Sequence, residues 1–457
     1  MRKREAIWLL ALGLFAACDG RDTFGASLAT LSGAPRRIAG TGDLSEPRFT
    51  ASNSLFLTFT DGGQPSLVFL ANGANLDLAP VSYRAPPAGA PSNPTQIGAV
   101  LVDRFVRPDD DSGDGSVDGA TSFVVFRSQA SNLLDPLTGV LFFRDSTQVF
   151  LKDLAGNQNN LVSLGVDGLP ANDDVTSAVI SGNARFVVFA TRATNLYTPG
   201  SPQETPNGAS QIYVYDLLGG TLEMITTSDG FTPAAGDSTD PVVTPDGRYV
   251  AFVSAAANLV AGDTNQSPDV FLYDRATKSM ERISVNSAGV EQYIEAREPA
   301  ISLNGTIVAF TARNVATMGP RQVYVRDRSA GTTLLASHAV GGGEGGGPSS
   351  GPSLSADGRF LAFASAASDL ASDDTEGFTD VFVLDRNSSV LARASLDTDG
   401  IGGGDGDSSE PTLSWDGQFL AYISEALNVA PDDPQRLDGS ANGLKNLIIV
   451  AQPFATP

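Results

Sequence analysis

The sequence predicts an all-β fold, and three observations support that prediction. A unit of strands and tight turns recurs, and in the four clearest copies it returns every 53 to 59 residues. Each copy places an Asx-Gly type turn before an alternating apolar strand, which is a strong hairpin signal. The 48 glycines and 27 prolines are spread over 457 residues and leave no long stretch of helical periodicity. Four short strands per unit and seven units predict a seven-bladed β-propeller.

The turns set the register of the units. The four clear copies are Asp246–Arg248, Asn304–Thr306, Asp357–Arg359 and Asp416–Gln418; looser copies are Asp118–Ala120 and Asn183–Arg185, and a degraded one is Asn53–Leu55. Each turn leads into a second strand for which we predict one buried aromatic residue. These aromatics are Phe59, Phe126, Phe189, Phe252, Phe310, Phe363 and Tyr422.

The outer half of each unit also repeats. Runs rich in β-branched and aromatic residues predict third strands at 148–153, 211–216, 269–274, 322–327 and 380–385. Shorter runs predict fourth strands at 161–163, 224–226, 282–284, 334–336 and 392–394. An Asp closes each third strand (Asp153, Asp216, Asp274, Asp327 and Asp385), and this repetition favours a structural role in the following turn.

The seventh unit has a third strand at 446–450 and no recognisable fourth strand after it. Residues 36–39 resemble the fourth strand at 281–284, so we expect them to pair near 446–450 and close the ring, which removes exposed sheet edges. The predicted blades are 40–96, 97–167, 168–230, 231–290, 291–347, 348–403, and 404–457 together with 34–39.

The repeat resembles the TolB-type propeller repeat, whose pattern is roughly Pro-x-x-Ser-x-Asp-Gly-x-x-Ile-Ala-Phe followed by a strand ending in Asp. The resemblance covers about residues 34–457 and is closest in the last four units. It implies a propeller and no particular activity, since propellers carry many unrelated functions.

The N-terminal segment predicts export and lipid attachment. Residues 1–18 comprise a basic start, an apolar run of about twelve residues and Cys18, and the run 14–18 resembles a lipobox. Cys18 is the only cysteine, so no intrachain disulfide is available. We expect Cys18 to be lipidated, residues 19–33 to form a flexible tether, and the protein to lie in the bacterial cell envelope, on its periplasmic face or outer surface. An ordinary secretory signal is the alternative.

The charge excludes some partners. The formal net charge is −23, with 52 acidic and 29 basic residues, so nucleic acid and anionic lipid headgroups are repelled. We expect contact with the membrane only through the anchor, and a basic envelope protein as the binding partner.

Three Asp-rich loops have the oxygen-rich composition of calcium sites: 109–118, 263–269 and 397–407. None completes an EF-hand, and solvated turn-capping loops are the alternative that we favour, with no cofactor and no metal ligand assigned. The string Gly347–Gly351 contains Ser349 in a Gly-x-Ser-x-Gly pattern, but a strand and a helix should flank such a nucleophile. His338 is the only histidine, and no recognisable motif places a nucleophile or an orienting acid beside it, which argues against a catalytic triad. A single histidine also argues against the propeller lyases that this repeat family resembles, which hold metal with several histidines.

Without a recognisable catalytic set, the sequence favours a lipid-anchored, non-enzymatic propeller that binds or scaffolds envelope proteins. The alternative is a glycan- or peptide-processing enzyme that uses carboxylates of the central channel. A purely structural coat protein is a third interpretation.

Overall fold

The computed structural model describes residues 122–129, 133, 146–153, 156, 158–196, 208–374, 377–400, 402–429 and 446–454, together with the backbone of the strands named below between residues 36 and 117. No helix occurs in this part of the chain, and hence none that could cross a membrane. The fold is all-β, as the sequence predicts.

The strands form four-stranded antiparallel sheets that follow one another along the chain. The first strand, β1 (Arg36–Ala39), belongs to the last sheet. Sheet 1 consists of β2 (Asp43–Phe49), β3 (Leu55–Thr60), β4 (Leu67–Asn72) and β5 (Asp77–Pro80). A two-stranded sheet of β6 (Gln96–Ile97) and β7 (Val100–Leu101) follows. Sheet 2 consists of β8 (Ser112–Val117), β9 (Phe123–Ser128), β10 (Gln148–Asp153) and β11 (Gln158–Leu161).

The next four sheets repeat the same order. Sheet 3 consists of β12 (Val175–Ile180), β13 (Phe186–Thr191), β14 (Gln211–Asp216) and β15 (Thr221–Met224). Sheet 4 consists of β16 (Ser238–Val243), β17 (Tyr249–Ser254), β18 (Asp269–Asp274) and β19 (Ser279–Arg282). Sheet 5 consists of β20 (Tyr293–Ile301), β21 (Ile307–Asn314), β22 (Gln322–Asp327) and β23 (Thr332–Leu335). Sheet 6 consists of β24 (Ser349–Leu354), β25 (Phe360–Ser365), β26 (Asp380–Asp385) and β27 (Val390–Arg393).

Sheet 7 contains β28 (Ser408–Leu413), β29 (Phe419–Ser424) and β30 (Asn446–Ala451), and β1 pairs with β30 as its fourth strand. Arg36 lies opposite Ile449, and Ala39 lies opposite Asn446. The first strands of neighbouring sheets contact each other from β8 through β28, and β2 contacts β28 and β29. These first strands are therefore the inner strands of a propeller-like arrangement.

The core consists of aromatic pairs that repeat between the second and third strands. Phe126, Phe189, Phe252, Phe310, Phe363 and Tyr422 are at most 1% exposed, as predicted. Phe252, for example, stacks on Phe271 with ring centroids 6.0 Å apart. Phe59 lies outside the residues whose side chains are described. Because apolar clusters combine residues of adjacent sheets, the hydrophobic core also joins each sheet to the next.

Five predicted third strands are confirmed to the residue, and the one predicted at 446–450 ends one residue later, at Ala451. The predicted fourth strands are displaced. The observed fourth strands end near the residue where we predicted them to begin; β19, for example, ends at Arg282. These outer strands mix polar and apolar side chains and are mostly half-buried, so the apolar period does not identify them. The residues that follow these fourth strands instead form hydrogen bonds to the third strand. The hydroxyl of Ser284, for example, accepts a hydrogen bond from Val270 N (3.0 Å).

The Asp residues that close the third strands have the structural role expected of them. Asp274 accepts two hydrogen bonds from the guanidinium of Arg248 (3.1 and 2.8 Å) and one from Ala276 N (2.9 Å). The hydrogen bond from Arg248 lowers the pKa of Asp274 to about 2. The same bidentate pair recurs as Arg185–Asp216 and Arg359–Asp385.

Candidate functional site

Two kinds of loop meet at one end of each sheet. The loop between the second and third strands and the loop after the fourth strand leave an antiparallel sheet at the same end. Between sheets 4 and 5, these loops line a cavity of about 540 Å³ that is open to solvent, and its volume is within the usual size range of small-molecule sites. Asn286 and Gln292 reach it from the loop after β19, and Asn314, Thr317 and Glu344 reach it from sheet 5 and its loops.

A chain of hydrogen bonds crosses the wall of this cavity. Asn286 Nδ2 donates to Gln292 Oε1 (2.8 Å), and Gln292 Nε2 donates to Asn314 Oδ1 (3.3 Å). The side chain of Asn314 in turn hydrogen-bonds Tyr324. Tyr324 Oη donates to Glu344 Oε1 at 2.9 Å. The chain therefore joins the loops of two neighbouring sheets and ends on a carboxylate.

Glu344 is the single charged group of the cavity wall, and its position is closely defined. Its second oxygen, Oε2, accepts a hydrogen bond from Thr317 Oγ1 (2.6 Å). An isolated β-bridge to His338 closes the loop that carries it. Two hydroxyl donors and this bridge hold the carboxylate at the edge of the cavity, which is the precondition for proton transfer to a bound molecule.

Two tyrosines lie behind the carboxylate. The rings of Tyr293 and Tyr324 have centroids 4.4 Å apart, and both side chains are almost fully buried. Burial, together with Glu344, raises the pKa of Tyr324 far above that of a free phenol. Tyr324 therefore keeps its proton at neutral pH and remains a donor to Glu344.

A carboxylate cluster lies at the base of the same loop. Oxygens of Asp263, Asp269 and Glu291 lie within 4.8 Å of one another. The guanidinium of Arg282 lies among them, with Nη1 at 3.3 Å from Asp263 Oδ1, at 3.6 Å from Asp269 Oδ2, and in contact with Glu291. Burial raises the pKa of Asp269 to about 6. Asn265 connects the cluster to the cavity, because its Nδ2 donates to Asp269 Oδ2 (3.0 Å) and to the carbonyl of Tyr293 (3.3 Å).

The cluster brings together Asp263 and Asp269 of the second predicted calcium loop, and a set of three carboxylates is compatible with a divalent cation. The guanidinium already supplies a positive charge among them, however. Sheet 6 repeats the arrangement, with Arg393 at 2.9 Å from Asp373 and 3.2 Å from Asp380. A cation would have to displace Arg282, so we derive no chemical step through a metal at this position.

The same position in other sheets shows what the cluster does. Sheets 2, 3 and 5 begin their third strands with glutamine, and the amide donates to a backbone carbonyl of the loop after the fourth strand. Gln322 Nε2, for example, donates to Gly345 O at 2.9 Å. In sheets 4 and 6, an aspartate and its arginine therefore take the place of the uncharged glutamine that binds the same loop in the other sheets.

Carboxylates also occur on the inner strands. A bulge interrupts each of β16, β20 and β28, and Asp240, Glu298 and Glu410 occupy these bulges with positive φ and exposed side chains. Glu298 Oε2 accepts a hydrogen bond from Gly351 N of the next sheet (2.8 Å). These residues are the described counterparts of the channel carboxylates expected from the sequence.

The remaining sequence candidates have structural contacts. Ser349 lies buried on β24, and its hydroxyl donates to Ser365 Oγ (2.9 Å) instead of to a base. His338 Nδ1 lies 3.2 Å from the carbonyl of Ala339. In the third Asp-rich loop, Asp405 and Asp407 accept hydrogen bonds from backbone amides. Cys18, the tether 19–33 and the side chains of 109–118 lie outside the described residues, apart from Ser116.

Sequence reasoning missed Glu344. The only signal was positional, because Glu344 follows Ser337 by seven residues just as Glu291 follows Ser284.

No family model matches the sequence, and no curated protein matches it. Solved structures do match. An oligogalacturonate lyase in complex with manganese has a TM-score of 0.50 at 11% identity, over 92% of this chain and 98% of that one. A prolyl endopeptidase has a TM-score of 0.51 at 13% identity, over 90% of this chain and 50% of that one. A TolB protein from Agrobacterium tumefaciens has a TM-score of 0.38 at 13% identity, over 76% and 92% of the two chains.

The matches to the lyase and the peptidase show a propeller-like fold. The expectation of a non-enzymatic binding or scaffold protein is wrong on this comparison, because the propellers that match over at least 90% of this chain belong to enzymes. Residues that meet on loops of different sheets form no continuous motif, and the sequence analysis therefore had no catalytic set to weigh.

Proposed function

We propose that the protein is a glycan-processing propeller enzyme whose substrate lies in the cavity between sheets 4 and 5. The observation that carries the proposal is Glu344, a carboxylate fixed by two hydroxyl donors at the wall of a cavity with amide and hydroxyl groups around it. Asparagine, glutamine and threonine side chains are the groups that pair with sugar hydroxyls.

Glu344 would act as the general base that takes a proton from an attacking water. The water oxygen bonds to the anomeric carbon as the glycosidic C–O bond breaks, and the departing sugar oxygen takes a proton from solvent water at the open side of the cavity. Tyr324 would hold the carboxylate in place and keep its own proton. A positioned carboxylate of this kind contributes roughly 10²- to 10⁴-fold to a rate.

The contacts of the only histidine and of the one candidate serine favour a glycan over a peptide as the substrate. Peptide cleavage by a serine enzyme needs a serine in hydrogen-bond contact with a histidine. Ser349 instead donates to Ser365, and the only histidine, His338, faces a backbone carbonyl.

The proposal includes a closed ring of seven blades. Its support is the pairing of β1 with β30 and the contacts of β2 with β28 and β29, which connect the first and last sheets. It also includes the lipid anchor at Cys18 and a location in the cell envelope, which rest on the sequence alone. The envelope protein partner stays a prediction.

The test is the release of new reducing ends, which every glycosidic cleavage produces, from a panel of neutral and uronic polysaccharides. We expect Glu344→Gln to lower the best rate at least 100-fold. The control variant is Glu425→Gln. Glu425 is exposed in sheet 7, so this variant also removes one negative charge but should leave the rate unchanged. Loss of activity in Glu298→Gln with full activity in Glu344→Gln would move the chemistry to the channel carboxylates.

A further inference from the structure

We infer that the cavity between sheets 4 and 5 binds an uncharged sugar residue and rejects uronic acids; this inference rests on the proposed function. It differs from the substrate named for the matched lyase, because galacturonate units carry a carboxylate. The charges and hydrogen-bond groups of the cavity wall carry the argument.

The lining is polar but nearly uncharged. Its hydrogen-bonding groups are amides and hydroxyls, from Asn286, Gln292, Asn314, Thr317 and Thr333 among others. Such groups pair with sugar hydroxyls and with an acetamido group in both donor and acceptor senses. A set of this kind recognises a neutral sugar without requiring a compensating charge.

A uronic acid would meet an uncompensated negative charge. Glu344 is the only charged residue in the lining, and no lining residue is cationic. The nearby guanidinium of Arg326 is buried, and its Nη1 donates to the carbonyls of Asn286 (3.2 Å) and Gly331 (2.9 Å) and to Thr333 Oγ1 (3.1 Å). A sugar carboxylate in the cavity would therefore face Glu344 with no partner of its own.

The surface adds to this selection. The chain carries a net charge of −23, and the loops that frame the cavity contain the Asp263, Asp269 and Glu291 cluster with a single arginine among three carboxylates. A polyanionic chain is repelled before it reaches such a surface, and the repulsion weakens with salt.

The experiment is calorimetric titration of the full chain, in detergent, with chitohexaose, cellohexaose and hexagalacturonate at low ionic strength. We expect at least one neutral hexasaccharide to bind about tenfold or more tightly than hexagalacturonate. Glu344→Gln keeps the shape and removes the charge, so it should bind hexagalacturonate several-fold more tightly than wild type. Glu425→Gln should leave that preference unchanged.

The outcomes separate the two claims. Tighter binding of hexagalacturonate by the wild type, or no binding of any neutral sugar, overturns the inference. Glu344-dependent cleavage of a uronic polysaccharide would keep the proposed enzyme and refute the neutral substrate. Neutral-sugar binding with the expected Glu344→Gln effect, but without turnover of any glycan, would support the inference and refute the enzyme.

Discussion

Gly305→Ala is the sharpest probe of how neighbouring sheets join. Gly305 forms the tight turn before β21 with a φ of +69°, and it lies against the ring of Tyr249 in sheet 4. A Cβ on Gly305 would lie 2.5 Å from Cδ2 of that ring. Arg328 fixes the turn further, since its Nη1 donates to the carbonyl of Gly305 at 2.8 Å.

Two costs add at this position. The left-handed backbone costs an alanine about 1–2 kcal/mol. The clash with a packed ring adds about 1–3 kcal/mol of overpacking. Gly331 in the same sheet is a matched control, because its φ is +67° and no atom lies within 4 Å of its would-be Cβ. We therefore expect Gly331→Ala to pay the backbone cost alone.

The assay is equilibrium urea unfolding of each variant and of Gly305→Ala combined with Tyr249→Ala. Removal of the ring should abolish the clash, so the double variant should be about 1–3 kcal/mol more stable than the sum of the single effects predicts. Equal destabilisation by Gly305→Ala and Gly331→Ala, with additive effects in the double variant, would refute the packing argument.

Three further predictions concern single side chains. The pKa of Asp269 is raised to about 6, so its contribution to stability should fall as pH rises from about 4 to 6; urea unfolding of Asp269→Asn across that range should lack this decline. The pKa of Asp274 is lowered to about 2 by Arg248, so Asp274→Asn should remove a stabilisation that wild type loses as pH falls below 4; because Arg248 is exposed, the difference at neutral pH should stay below about 1 kcal/mol. Ser349→Ala should lower the free energy of unfolding by about 1 kcal/mol through the lost bond to Ser365, and leave glycan cleavage at the wild-type rate; a strong loss of activity would revive the serine mechanism.

Strand positions were predictable wherever one face of a strand is buried against the next sheet. The run 269–274 is fully buried in the structure, and its β-branched and aromatic residues predicted a strand from the sequence alone. The fourth strand Ser279–Arg282 was misplaced, because a strand at the outer edge carries polar side chains that resemble a loop.

The site was less predictable than the fold, for a physical reason. Asn286, Tyr324 and Glu344 belong to three separate elements, namely the loop between sheets 4 and 5, β22 and the loop after β23, which meet at one end of sheet 5. The cluster of Asp263 with Asp269 was visible as an acidic loop, but the arginine that lies among its carboxylates follows thirteen residues after Asp269 on another strand. Both the cavity wall and the carboxylate cluster form through contacts between residues that are distant in the sequence, and no linear motif shows such contacts.

A crystal structure of the protein with a bound neutral hexasaccharide tests the central claim most directly. We predict a sugar ring in the cavity between sheets 4 and 5, with a hydroxyl or the glycosidic oxygen in hydrogen-bond contact with Glu344. A sugar bound at the inner strands beside Glu298 or Glu410, with this cavity filled only by water, would contradict the account.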